Sequence, residues 1–188
     1  MIEWIPLGLV VLGLLWIVIV YNGLVSLRNQ VQNAWKQIDV QLKRRHDLIP
    51  NLVTTVKGAM EFEQDTLEKV ISARAKAVSA TGPHDKAVSE NMLTQALGKL
   101  FAVVENYPQL KSNENIMQLQ EELTSTENRI GFARQFYNDI VASYHIKQEV
   151  FPNNFVASIF KGFKKEEYYS AEDADRAVPQ ADLSLRKK

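Results

Sequence analysis

The sequence predicts an all-α protein: a single N-terminal transmembrane helix continuing into an antiparallel up-and-down four-helix bundle, with a short fifth helix. Three observations predict it. An uncharged apolar run extends from Trp4 to Tyr21. Beyond it, apolar residues recur in alternating steps of three and four, the pattern of helices buried along one face. Among 188 residues there are only 6 prolines and 8 glycines, so long helices meet few breakers. No period-two alternation long enough for a strand interrupts them.

The anchor comes first. Residues 4–21 read WIPLGLVVLGLLWIVIVY. At a rise of about 1.5 Å per residue they span about 27 Å, close to the roughly 30 Å hydrocarbon core. Trp4 and Tyr21 fall where the two interfaces should lie. Pro6 sits in the first turn, where a missing N–H costs little. A cleaved signal peptide would want basic residues before the run, but only Glu3 is charged there. Arg28, Lys36, Lys43, Arg44 and Arg45 follow the span, two of them within about 20 residues of it. The positive-inside rule therefore predicts an outside N-terminus and a cytoplasmic bundle.

Four amphipathic helices follow. In residues 22–62 a seam runs through Val31, Trp35, Ile38, Leu42, Arg45, Ile49, Leu52, Val56 and Ala59. Arg45 is its one charged member, expected to pack its stem and extend its head to solvent. Pro50 should kink this helix near Asp47–Ile49. Only Gly23 stands between anchor and bundle, so the span can continue directly into the first helix. A second helix is expected over about Gln64–Ala80, its inner face marked by Leu67, Val70, Ile71, Arg74 and Val78, and closed by Thr81-Gly82-Pro83. A third covers roughly Asp85–Asn106, with Val88, Met92, Leu93, Ala96, Leu97, Leu100, Val103 and Val104 inward. The fourth opens near Ser112–Asn115 and ends at Phe151-Pro152, with Ile116, Leu123, Ile130, Phe132, Phe136, Tyr137, Val141 and Tyr144 among its inward residues. Up-and-down topology then returns the end of the fourth helix to the membrane.

At that end lies PNNFVASIFKGFKKEE. Phe155, Phe160 and Phe163 with Lys161, Lys164 and Lys165 suit an interfacial amphipathic helix, and together with Trp4 and Tyr21 they form a candidate membrane interface. The plainer alternative, slightly preferred, is a short fifth helix capping the core. The organisation is therefore an anchor at 1–21, a bundle at 22–163 and a tail at 164–188. The tail is expected to be poorly ordered, or ordered at a subunit contact.

The search for chemistry returns no catalytic, cofactor-binding or metal-binding candidates. There is no cysteine, so no disulfide, thiolate ligand or thiol nucleophile. His46, His84 and His145 lack ligand spacing and are expected at the surface or in grooves; nucleotide and hydrolase motifs are missing. The 22 basic and 22 acidic residues balance, which argues against a nucleic-acid partner.

The segment YNGLVSLRNQVQNAWKQIDVQLKRRHDLIPNLVTTVKG resembles the signature of the LemA family, and NYPQLKSN, LQEELTSTENRIGFARQFYND and FPNN are similar to its second half. The resemblance runs from Tyr21 to about Phe163. It implies bacterial origin, membrane attachment and an antiparallel helical bundle, and it does not imply an enzyme. Some LemA-like proteins carry a lipoprotein cysteine just before the YN, which would put their domain outside the cytoplasm; this chain has none.

The function expected is a non-enzymatic, self-associating membrane scaffold whose partners are the lipid bilayer and further copies of itself. The alternative is an adaptor that recruits another membrane or cytoplasmic protein. Trp35, Asp39, Arg44, Arg45, Glu127 and Arg129 form the candidate interaction surface, and Trp35 and Phe136 offer surplus apolar area for a subunit interface.

Overall fold

A computed structural model describes residues 4–58 and 63–170. Its elements are α1 (Trp4–Lys57), α2 (Gln64–Ser79), α3 (Pro83–Val104), α4 (Pro108–Lys111), α5 (Glu114–Glu149) and α6 (Asn153–Ile159). The all-helical expectation holds, and the span and first bundle helix are one helix of 54 residues, about 81 Å long.

Every residue from Trp4 to Leu15 is exposed, including nine large apolar side chains. Such a surface suits another apolar medium, and by length and composition this stretch of α1 is long and apolar enough to cross a bilayer, which suggests membrane anchoring. Packing starts at Trp16 and Ile17, which are half-buried, and is complete at Val20 and Leu24.

Above the span α5 lies antiparallel to α1: Lys147 crosses Gly23, Trp35 meets Tyr137 and Arg45 meets Glu127. The α2–α3 hairpin covers the far end of this pair. The core has two parts. The distal one joins Ile49, Leu52 and Val56 to residues of α2, α3, α4 and the start of α5. The membrane-proximal one joins Val20, Leu24, Val31, Ala34, Ile38 and Leu42 to Ile130, Tyr137, Val141 and Tyr144 of α5 and Val156 of α6.

Local chemistry sets the helix ends. Asn113 caps α5, its Oδ1 accepting from the Asn115 and Ile116 N–H groups. Pro83 opens α3 two residues before the expected Asp85, because proline suits the first helical turn. Gly82 before it has φ +80°, a conformation that disfavours any side chain. The kink expected near Asp47–Ile49 does not end the helix: α1 continues through Pro50 to Lys57.

Several inward assignments shift. Ala34 takes the α1 seam position and Trp35 is half-buried beside it. On α2 the buried positions are Leu67, Val70, Ala73 and Ala77, whereas Ile71 and Val78 are exposed. The alanines let α2 and α3 approach closely. Met92 on α3 and Phe132 and Phe136 on α5 also face outward. Ala59 and residues 171–188 lie outside the described residues.

Residues 164–170, expected in a loose tail, form an extended strap along the bundle. Tyr137 Oη donates to the Glu167 carbonyl at 2.8 Å. Asn138 bonds both ways with the Tyr169 backbone. The Glu166 N–H donates to His145 Nε2, and His84 Nδ1 lies 3.2 Å from the Ser170 carbonyl oxygen. A chain with no internal hydrogen-bond ladder is held here because side chains of α5 satisfy its backbone.

Candidate functional site

The first candidate is a polar plane between the two cores. Arg45 stands on the α1 seam and Glu90 on the inner face of α3, each one helical step from leucine or isoleucine neighbours. Glu90 is 0% exposed. Arg45 Nη1 donates to Glu90 Oε2 at 3.0 Å and Arg45 Nη2 to Thr94 Oγ1 at 2.8 Å. The same Nη1 lies 2.9 Å from Glu127 Oε2, and His46 Nε2 lies 2.6 Å from Glu90 Oε1. Burying charge is costly unless it is paired, and here each carboxylate oxygen of Glu90 has a partner. Arg45 therefore does not extend to solvent, and His46 is buried, both contrary to the sequence reading. The physical reason is Glu90, a carboxylate in the opposite seam. Of the candidate interaction surface, Arg45 is thus buried inside the bundle, and Glu127 pairs with it from a partly exposed position on α5.

The neighbouring α1 turn solves a second polar problem. Proline has no N–H, so Pro50 leaves the His46 carbonyl without its intrahelical donor. Arg74 Nε of α2 supplies the bond at 2.8 Å. That contact sends one side chain of the hairpin into the proline break of α1.

The second candidate lies on the open side of the α1–α5 pair. Val40, Phe132, Ala133 and Phe136 floor a groove of about 500 Å³, edged by Lys36, Gln37, Gln41 and Arg129. Phe132 is 73% exposed. Gln41 Oε1 is buried there with no hydrogen-bond partner. Of the residues proposed from sequence, Arg129 and Phe136 belong to this groove. Arg44 is half-exposed, 3.9 Å from Glu122. Asp39 instead pairs with Lys86 of α3 at 2.5 Å. Trp35 packs inside an aromatic cluster, with Tyr137 at 5.4 Å, Tyr169 at 6.2 Å and the Lys86 ammonium 5.6 Å from its ring centroid. It is half-buried against the strap. Burial pushes the Tyr137 and Tyr169 phenols up to about 12, with the Glu166 and Glu167 carboxylates adding to the effect at Tyr137. Both stay protonated through the physiological range, and the Tyr137 phenol keeps its donation to the Glu167 carbonyl.

The third candidate is the membrane end. Tyr21 packs edge-on against Phe160 at 4.9 Å and Phe163 at 5.5 Å. Arg28 Nη1 donates to the Gly162 carbonyl and its guanidinium lies 6.0 Å from the Phe163 ring centroid. Phe163 is therefore half-buried against α1. Phe155, Phe160, Lys161 and Lys164 are exposed, as is Trp4 at the far end of the span. Lys165 is exposed but taken up by Glu149 at 2.6 Å, a bond that lowers the Glu149 pKa and raises that of Lys165. Among the described residues no group of three or more His, Asp or Glu is arranged to hold a metal ion.

Comparison with known proteins adds the following. The sequence model of the LemA family matches residues 34–183. The chain is 27% identical over 180 residues to magnetosome protein MamQ 2 of Paramagnetospirillum magneticum, covering 82% of this chain and 66% of that protein. It is 26% identical over 180 residues to magnetosome protein MamQ of Magnetospirillum gryphiswaldense, with the same coverage. It is 30% identical over 140 residues to protein LemA of Metamycoplasma hominis, covering 72% of this chain and 63% of that one. The chain thus spans about two thirds of the length of these relatives.

Proposed function

The chain belongs to the LemA family, and on that premise we propose that it is a membrane-anchored, non-enzymatic scaffold that self-associates through the groove between α1 and α5. The observation that carries this reading is the groove itself. Val40, Phe132 and Phe136 are exposed side by side on two rigid helices, where a monomer gains nothing from them. A shared anchor holds every copy at one height and one orientation. The groove of one copy therefore meets the same groove of the next about an axis along the membrane normal, a self-complementary contact. Gln41 Oε1 then finds a donor among Lys36, Gln37 or Arg129 of the neighbour. The paired charges of the interior fix the packing of helices instead of pointing into a cavity, which favours a non-catalytic role.

The test is the particle size of the full chain in mild detergent, by light scattering across a concentration series. Phe132→Glu with Phe136→Glu is expected to weaken association about 30-fold or more, since removing one buried aromatic anchor typically costs about 2 kcal/mol. A wild-type chain that stays monomeric at high concentration sinks the scaffold reading. In that case the basic rim of Lys36 and Arg129 favours the second reading, an adaptor whose groove receives an acidic protein partner.

The orientation we propose is N-terminus outside and bundle in the cytoplasm, supported by the basic residues that follow the span. Single cysteines at the exposed positions Ser79 and Ser112 report on it, because the chain has no native cysteine. Labelling by a membrane-impermeant thiol reagent is expected only after cell lysis. Labelling in intact cells reverses the assignment.

A further inference from the structure

We infer that α6 and the residues flanking it form a second membrane contact, an aromatic foot that lies in the anionic headgroup layer beside the exit of α1. Phe151, Phe155 and Ile159 recur every four residues and face outward together. They are 74%, 58% and 71% exposed, while Val156 on the opposite face is buried in the membrane-proximal core. The Phe151 and Phe155 rings touch edge-on at 5.9 Å. Apolar residues on this scale are not left in water without a partner, and their height identifies the partner as lipid. Phe160 packs on Tyr21, the last residue of the apolar span. Trp16, Ile17 and Val20 are the described residues of the span that lose solvent exposure, so the bundle's lower end reaches the level of the last turns of the span. The stripe thus stands at the level of the last turns of the apolar span. Lys161 and Lys164, both exposed, follow the stripe and favour anionic headgroups; Lys165 is already held by Glu149. Phenylalanine and isoleucine supply apolar insertion, and the lysines supply the charge that keeps it shallow.

This contact stands whatever the oligomeric state of the bundle. The experiment uses the full chain with one cysteine at a time, at Phe155, Ile159, Leu12 or Val40, each carrying an environment-sensitive fluorophore. The protein is reconstituted into phosphatidylcholine vesicles, with and without phosphatidylglycerol, whose acyl chains are brominated to quench fluorescence on contact. Quenching is expected at Leu12→Cys, Phe155→Cys and Ile159→Cys and not at Val40→Cys. Lys161→Glu with Lys164→Glu is expected to bring the quenching at 155 and 159 down toward that at Val40 in phosphatidylglycerol vesicles. Circular dichroism of each variant separates loss of contact from loss of fold, and the two foot positions serve as independent reporters. Fluorophores at 155 and 159 that stay unquenched while Leu12→Cys is quenched overturn the foot. Blue-shifted but unquenched emission there also overturns it, since protein then covers the stripe. Lysine reversal without effect removes the anionic preference.

Discussion

Arg45→Ala is expected to destabilise the bundle by about 3–5 kcal/mol, because it strips the cation from a buried carboxylate. Glu90 has no access to water, and with Arg45 gone its Oε2 atom loses its only hydrogen bond, leaving His46 to carry the whole charge. Thr94 and Glu127 lose the same partner. The pair is not expected to be worth that much in itself. Two charges brought into a low-dielectric interior repay most of their attraction as desolvation, so Arg45→Met combined with Glu90→Leu should recover most of the loss. Urea unfolding of Arg45→Ala, together with the cycle of wild type, Arg45→Met, Glu90→Leu and the double mutant, measures both quantities. A single mutant within about 1 kcal/mol of wild type would mean that water reaches the plane and that Glu90 is not isolated. The recovered double mutant is also informative about specificity. The plane lies between an apolar core shared by five helices and one built mainly from two, and an oppositely charged pair at that level fixes the height at which α3 docks on α1.

Arg74→Ala should cost about 1.5–3 kcal/mol, the range for a lost hydrogen bond from a charged donor with its acceptor left unpaired. The acceptor is the His46 carbonyl, which has no intrahelical donor because residue 50 is proline. That origin gives the prediction its specific signature. In a Pro50→Ala background the new N–H at position 50 satisfies the carbonyl, and Arg74→Ala should become much less costly. Thermal or urea unfolding of the cycle reads this coupling directly. Equal losses in both backgrounds would show that Arg74 stabilises through packing of its stem and not through the carbonyl.

Much of this architecture is legible in the sequence because helices announce themselves by period. The seam from Val31 to Val56 reads correctly at all but one position, and the ends of α2 and α5 fall where proline, glycine and asparagine place them. The return of the chain to the membrane end follows from topology alone, and the Tyr21–Phe160 contact realises it. What periodicity hides is the identity of polar seam residues. Glu90 stands on the same three-and-four series as Leu93, Leu97, Leu100 and Val104. An acid in one seam and an arginine in another was the available signal for the polar plane. Phe132 and Phe136 mislead for the opposite reason: hydrophobicity suggests an inner face, yet Ile130, Tyr137 and Val141 already fill it. The strap from Lys164 to Ser170 carries no period at all, since its stability resides in side chains of α5 some twenty to thirty residues earlier.

The unbroken α1 makes the protein a lever with its fulcrum in the bilayer. From Tyr21 to Lys57 the helix extends about 54 Å beyond the span, so a tilt of about 10° within the membrane carries the distal tip about 9 Å sideways. A span answers changes in bilayer thickness by tilting. With no flexible joint between anchor and bundle, a change in the thickness of the membrane becomes a displacement of the α2–α3 hairpin several nanometres away from it.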